Sequence, residues 1–435
     1  MRDRTLPTVS PRRTTGLLLA SSAVLLASLI AASLTRIGVP SRSLPYLGAA
    51  PNAIVRPLVL LPVGTTDDPR PAPRTAGLVL VDARSGAILD RHALADSTTE
   101  VVSASFVSPG DRIVFYTGEH TGPHARLGVR RLPGWDIESV VPIDASIPPA
   151  RVLAERFPSI TASDPTLLAF AAEPQGRWAA VAFWSLMTPK PDGPSSQLVW
   201  VTTVDLERAV WAEWAYLLPA SQAASLVALP DRILVLGHEL RTSSRHSVGT
   251  VVALDPQSGE ALAQLTLESA STTAKPLGEG PGDEPATFSA ALDPVLWNGQ
   301  LLVVTTDLEA FVIDRSALTV TAHYPPLADR LVAAGRPFIT GDRLVVGGGA
   351  VRVIDIASWR LLATYSLPQM PESWWIAAGL VDQETLLLTG TRDGCLRHLE
   401  LATGRLSAPL ACGFLVDYPA PLFGWPVFFA GSSGP

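Results

Sequence analysis

Residues 249–267 read GTVVALDPQSGEALAQLTL. Val251, Ala253, Leu262, Ala263 and Leu265 flank a polar DPQSG turn, and small and branched apolar residues at this spacing suit a pleated, half-buried surface. The Asp255 carboxylate is placed to accept hydrogen bonds from backbone N–H groups two residues on, and Gly259 can take positive φ. The stretch therefore predicts a β-hairpin.

Loosely spelled, the hairpin recurs along the chain, at 77–94 (GLVLVDARSGAILDRHAL), 126–143, 198–217, 309–324, 350–367 and 395–410. Its turn opens at Asp82, Leu132, Asp205, Asp255, Asp314, Asp355 and Glu400 or Leu401. These marks fall about 53 residues apart, a spacing found among propeller-type repeats. Before each hairpin after the first stand two further apolar runs, for example ASLVAL then DRILVLGH (231–238). Each unit thus reads as four strands, A to D, and several such units pack best radially around an axis. No helical apolar stripe occurs after residue 35. Residues 53–63 and 418–430 carry strands left over at the two ends, and these are predicted to share one sheet and hide both edges.

The N-terminus differs. Arg2, Arg4, Arg12 and Arg13 precede residues 16–35, GLLLASSAVLLASLIAASLT, which hold no charge. Twenty helical residues span about 30 Å, the thickness of a bilayer core. The arginine flank predicts a cytoplasmic N-terminus with the bulk of the chain outside. The segment is an uncleaved anchor or a signal peptide cut after Ser33. Residues 36–51 read as a linker, leaving 52–435 for the β domain. Net charge is −7, which argues against a nucleic-acid surface; only Lys190 and Lys275 are lysines, the other basic residues being arginines.

The turns Asp82–Ala–Arg–Ser–Gly86, Asp255–Pro–Gln–Ser–Gly259 and Leu401–Ala–Thr–Gly404 resemble the Asp-x-x-[Ser/Thr]-Gly turns of YVTN and pyrroloquinoline-quinone-like repeats, relatives of WD40 repeats. The resemblance covers about residues 52–430. It implies an all-β, seven-bladed β-propeller of four-stranded blades, here preceded by one transmembrane helix. Quinone-type repeats place a docking Trp shortly after that Gly. The stretches here read AILD, EALA and RLSA, so no quinone or other cofactor is expected.

In a propeller the B–C and D–A connections share a face. The B–C connections are long in the first four units (64–75, 119–125, 187–197 and 239–247) and short in the last three, and D–A residues 269–287 are long on the same face. Long loops on a rigid scaffold often carry function. The candidate binding-face residues are Asp67, Asp68, Arg70, His120, His124, Lys190, Asp192, His238, Arg241 and His246. The four histidines lack the fixed carboxylate or Cys that a metal site needs, so no metal is expected. No catalytic set is present: there is no Gly-x-Ser-x-Gly elbow and no Cys–His pairing near a turn. Trp374–Trp375 open a predicted inner strand. Cys395 and Cys412 lie on the two strands of the last hairpin. A two-residue turn at Thr403–Gly404 would set them opposite each other as a disulfide, and a bulge would shift them apart.

The expected function is a membrane-tethered extracytoplasmic scaffold or sensor that binds a protein or small molecule on its long-loop face without catalysis. The alternative is a periplasmic-type propeller enzyme, a lactonase-like hydrolase or a quinone-dependent dehydrogenase.

Overall fold

The computed structural model describes residues 58–64, 75–93, 100–107, 112–118, 125–132, 135–157, 160–163, 165–189, 196–218, 223–238, 247–269, 292–305, 307–327, 337–347, 350–366, 375–390, 395–412 and 427–429, all within the compact unit Val39–Pro435. The expected membrane segment and linker lie outside them. Among the described residues no helix is long and apolar enough to cross a membrane.

The strands form seven antiparallel sheets among the described residues. Sheet 1 holds β1 (Leu58–Gly64), β2 (Thr75–Asp82) and β3 (Ile88–Ala93). Sheet 2 holds β4 (Glu100–Val107), β5 (Arg112–Gly118), β6 (Arg126–Arg131) and β7 (Asp136–Pro142). A helix, α1 (Pro148–Arg156), leads to sheet 3. Sheet 3 comprises β8 (Ile160–Ala162), β9 (Thr166–Ala172), β10 (Trp178–Pro189), β11 (Ser196–Asp205), β12 (Val210–Trp211) and β13 (Tyr216–Leu218). Sheet 4 holds β14 (Ala223–Leu229), β15 (Arg232–His238), β16 (Ser247–Leu254) and β17 (Ala261–Glu268). Sheet 5 holds β18 (Val295–Trp297), β19 (Gln300–Val304), β20 (Ala310–Asp314) and β21 (Thr319–Tyr324). Sheet 6 holds β22 (Phe338–Thr340), β23 (Arg343–Val346), β24 (Val351–Asp355) and β25 (Arg360–Tyr365). Sheet 7 holds β26 (Trp375–Leu380), β27 (Thr385–Gly390) and β28 (Leu396–Glu400). The last strand, β29 (Val427–Phe429), returns to pair with β1, giving sheet 1 the order β29-β1-β2-β3.

These sheets make a β-propeller, because their first strands succeed one another around an axis. Strand β29 packs on β4, β4 on β9, β9 on β14, β18 on β22, β22 on β26, and β26 back on β29. Between β14 and β18 the link is a shared apolar core of Val227, Leu229, Leu234, Leu236, Leu301, Val303 and Phe311. The alternation along each strand divides its side chains between two neighbours. In β14, Leu226 and Ala228 join the core shared with sheet 3, while Val227 and Leu229 join the one shared with sheet 5. Burying each such Leu or Val contributes roughly 1.5–3 kcal/mol. The N- and C-terminal strands share a sheet as expected, so the ring is closed by ladder bonds rather than by an edge.

The C–D turn repeats a positive φ. It falls on the fifth residue of the turn in six sheets, Gly86, Ala209, Gly259, Leu318, Trp359 and Gly404, and in sheet 2 on Trp135, directly before β7. Asp255 Oδ1 accepts from the N–H groups of Gln257 (2.9 Å) and Ser258 (2.7 Å), and Asp82, Asp205 and Asp314 each do the same two and three residues on. The Ser or Thr at the fourth position has its own task. Ser85, Ser258 and Thr403 oxygens accept the N–H two residues later, closing the loop. At Gly259 a Cβ would lie 2.2 Å from the Trp214 ring of sheet 3, and at Gly404 2.3 Å from the Tyr365 ring of sheet 6. Gly is needed there for close approach as well as for φ.

Three expectations need correction. The reading without a helix missed α1, whose Pro148–Pro149 start looks like a loop; Pro is favoured in a first helical turn because no N–H is lost there. The third B–C connection, read as 187–197, is shorter, since β10 runs to Pro189 and Met187 pairs with Ser196. The last hairpin has neither a two-residue turn nor a single bulge. Glu400 and Arg405 close a four-residue loop, Leu399 bridges Leu406, and the register then slips by two so that Leu396 bridges Ala411. That slip sets Cys395 beside Cys412, and a disulfide joins them with Cα atoms 4.0 Å apart. Tryptophans also dock between sheets, though not after the glycines. Trp211 Nε1 donates to Pro142 O of sheet 2 (2.9 Å), and Trp359 Nε1 to Leu308 O of sheet 5 (2.9 Å).

Candidate functional site at the junction of sheets 4 and 5

Most of the junction between sheets 4 and 5 is apolar, but its end on the B–C and D–A face is polar. The period of two explains which residues reach it. Ser225 follows the parity of Val227 and Leu229, and His238 that of Leu234 and Leu236, so both point from sheet 4 toward sheet 5. Ala223 is the direct partner of His238, which makes Ser225 its diagonal neighbour on the same face. The strand end is pinched there: a Cβ on Gly249 would lie 2.6 Å from Gly237 O, so only Gly lets β16 approach β15 this closely.

Ser225 Oγ donates to Asp293 Oδ1 at 2.5 Å and lies 2.7 Å from His238 Nε2. Ser225, His238 and Asp293 are all buried. With the hydroxyl hydrogen on Asp293, His238 Nε2 carries the hydrogen of the second bond. A second group lies on the same junction. Glu309, fully buried, accepts from Ser269 Oγ at 2.5 Å and meets His323 Nε2 at 2.8 Å. His323 stacks on Phe311 with centroids 4.6 Å apart. Beneath them Thr305, also fully buried, receives the Glu309 N–H on its hydroxyl and bonds Asp307.

Each group joins one serine, one carboxylate and one histidine across two sheets. Ser269 is the last described residue before, and Asp293 among the first after, the connection 270–291. Both roots of that connection are therefore anchored by short hydroxyl–carboxylate bonds, which are charge-assisted and strong. In a nucleophilic triad the hydroxyl gives its hydrogen to the imidazole, which a carboxylate orients. Here Asp293 meets the hydroxyl itself. The arrangement ties side chains at the two roots of the connection to the polar end of the junction.

Of the residues expected on this face, His238 alone is described, and it corrects the expectation. It is the buried end of a strand rather than a loop residue. Asp67, Asp68, Arg70, His120, His124, Lys190, Asp192, Arg241 and His246 lie outside the described residues. Among the described residues no group of three or more His, Cys, Asp or Glu could hold a metal ion. Ser225, Ser269, Asp293, Glu309 and His323 escaped the sequence reading. A hydroxyl inside the apolar run of β14 and an acid directly before β20 were the available signs.

No family model and no curated protein matches the sequence. The chain is similar in fold to BamB from Moraxella catarrhalis, at 12% identity over 80% of this chain and 88% of that one, with a TM-score of 0.42. It is similar likewise to the C-terminal WD40 domain of Sif2, at 12% identity over 88% and 90%, TM-score 0.45. Hydrazine synthase of Kuenenia stuttgartiensis gives 11% identity over 77% and 89%, TM-score 0.43. At such values the propeller rests on the chain's own strand order and ring closure.

Proposed function

We propose that the chain is a seven-bladed propeller, tethered outside a membrane by residues 16–35, that binds a partner protein or small ligand on its B–C and D–A face without catalysis. The observation that carries this reading is the clamped pair of roots, Ser269 and Asp293, at the polar end of the junction. A scaffold that fixes the ends of a long connection suits presentation of that face to a partner. The direct Ser225–Asp293 bond favours binding over nucleophilic chemistry. The Cys395–Cys412 disulfide and the arginine-flanked apolar run support an oxidising, extracytoplasmic setting.

Protease added to spheroplasts carrying the full chain should remove the propeller and leave a membrane-retained N-terminal fragment; a protected propeller would overturn the tether. A photo-crosslinking residue at position 246, between β15 and β16, should give adducts, and one at Gln257 on the opposite face should not. Equal labelling from both positions, or labelling from 257 alone, would overturn the choice of face.

A further inference from the structure

The seam between sheets 7 and 1 adjoins the sheet in which β29 pairs with β1, and its outer edge is built unlike the others. Beyond β28, residues 405–412 follow the sheet through two isolated bridges, Leu399 with Leu406 and Leu396 with Ala411, rather than a continuous ladder. Four backbone hydrogen bonds hold them, Glu400 N–H to Arg405 O, Ser407 N–H to His398 O, Leu410 N–H to Leu396 O and Leu396 N–H to Ala411 O, and His398 N–H also donates to the Ser407 hydroxyl. The disulfide from Cys395 to Cys412 then fastens the end of the segment.

That end covers sheet 1. Leu410 and Ala411 pack on the core of Val79, Val81 and Ala83 from sheet 1 with Val381, Leu387 and Leu396 from sheet 7. Leu410 also fills the place a side chain at Gly86 would take, its Cβ 2.7 Å from that position. Nearby, His398 Nε2 reaches Ala83 O at 2.7 Å. The two sulfur-bearing residues differ in access: Cys395 is 6% exposed, whereas Cys412 is exposed.

We propose that the Cys395–Cys412 disulfide is a thiol-sensitive lock on the sheet 7–sheet 1 seam, opened by a dithiol reductant that attacks at Cys412. A reductant thiolate bonds to Cys412 Sγ as the S–S bond breaks, and Cys395 leaves with the electron pair and takes a proton. The second thiol of the reductant resolves the mixed disulfide and releases Cys412, so the dithiol is oxidised to its own disulfide as the protein gains two electrons and two protons. Freed of its fastening, segment 405–412 lifts from Val79, Val81, Ala83 and Gly86 while the other junctions stay packed. The inference stands on the seam geometry and is independent of the tether and of the binding face.

The test uses the full chain under native conditions, titrated with dithiothreitol, alkylated with iodoacetamide and followed by mass spectrometry with amide hydrogen exchange. Reduction should proceed without denaturant. Exchange over 396–411 and 79–87 should then rise at least tenfold, with residues in β10, β15 and β19 unchanged. Cys412→Ser should show the same raised exchange without reductant. Should that variant fail to fold, the titration of the unaltered chain decides alone. A disulfide that resists the dithiol until the whole ring unfolds, or reduction that leaves 79–87 protected, would overturn the proposal.

Discussion

At the hairpin end of the ring a positive-φ turn recurs in every sheet, while at the other end the junction of sheets 4 and 5 carries a polar group spelled in no other described junction. The turn tolerates varied side chains at its positive-φ position: Gly in three sheets, Trp in two, Ala and Leu in one each. The junction is a set of particular partners, Ser225 with Asp293 and Ser269 with Glu309. Repetition of a backbone conformation builds a ring whatever the side chains. Bonds between named side chains on different sheets do something that belongs to one place.

The sharpest way to break this contrast is at Gly259. Gly259→Ala would retain φ near +70° and drive a Cβ to 2.2 Å from the Trp214 ring, so it should cost about 3 kcal/mol or more. Gly299→Ala, at φ +77° with nothing within 4 Å of the new Cβ, should cost about 1 kcal/mol from backbone alone. Denaturant midpoints of the two variants measure the difference. Equal costs would mean the neighbouring sheet exerts no pressure on the turn.

Glu309 probes the other end. Glu309→Ala leaves the buried Ser269 hydroxyl and the His323 imidazole without their acceptor and should cost about 2–3 kcal/mol. Glu309→Gln keeps one acceptor and should cost less. If Glu309→Ala is no worse than an exposed substitution such as Glu260→Ala, the clamp does not hold the junction.

The carboxylates of the turns give a smaller effect with a definite sign. Asp255 and Asp314 are held below the ordinary carboxylate range chiefly by backbone N–H groups, of Ser258 and Ala317 respectively, and Asp355 chiefly by the Ser358 hydroxyl. The bonded form is the ionised one. Its contribution is thus complete above the unfolded value of about 3.9 and is lost as pH falls through the lowered folded values. The triple variant Asp255→Asn, Asp314→Asn and Asp355→Asn should be less stable at pH 7 and show a shallower loss on acidification. Parallel acid limbs for variant and parent would refute it.

How far the sequence carried the reading follows the same division. Asp82, Asp205, Asp255, Asp314 and Asp355 announced the hairpins because a local turn needs only local residues, and the shared sheet of the two chain ends followed from counting strands. The positive-φ Trp135 and Trp359 were not legible as turn residues, since neither type favours that conformation; packing imposes it. Trp359 is buried against Tyr324, with centroids 5.2 Å apart. The polar junction was still less legible. Ser225 and Asp293 are 68 residues apart in sequence, and only the ring brings them together. His238 looked like a loop residue because Glu239 to His246 follow it, yet its parity with Leu234 and Leu236 already placed it on a buried face.

The smallest effect discriminates most finely between backbone and side chain. Ala209, at φ +55°, occupies the same turn position as Gly259, and its side chain is partly buried against the core shared by sheets 2 and 3. Ala209→Gly removes roughly 1–2 kcal/mol of left-handed strain, loses roughly 0.5–1 kcal/mol to the freer unfolded chain, and forfeits a partly buried methyl. The net should be a stabilisation of about 0.5 kcal/mol, visible as a small rise in denaturant midpoint with unchanged slope. Leu318→Gly makes the same change of backbone preference at φ +48° but removes a side chain only 4% exposed within the sheet 4–sheet 5 core, so it should destabilise by about 2 kcal/mol or more. Opposite signs at two equivalent turns would establish that the turn itself asks for glycine and that the neighbouring sheet decides whether it is granted.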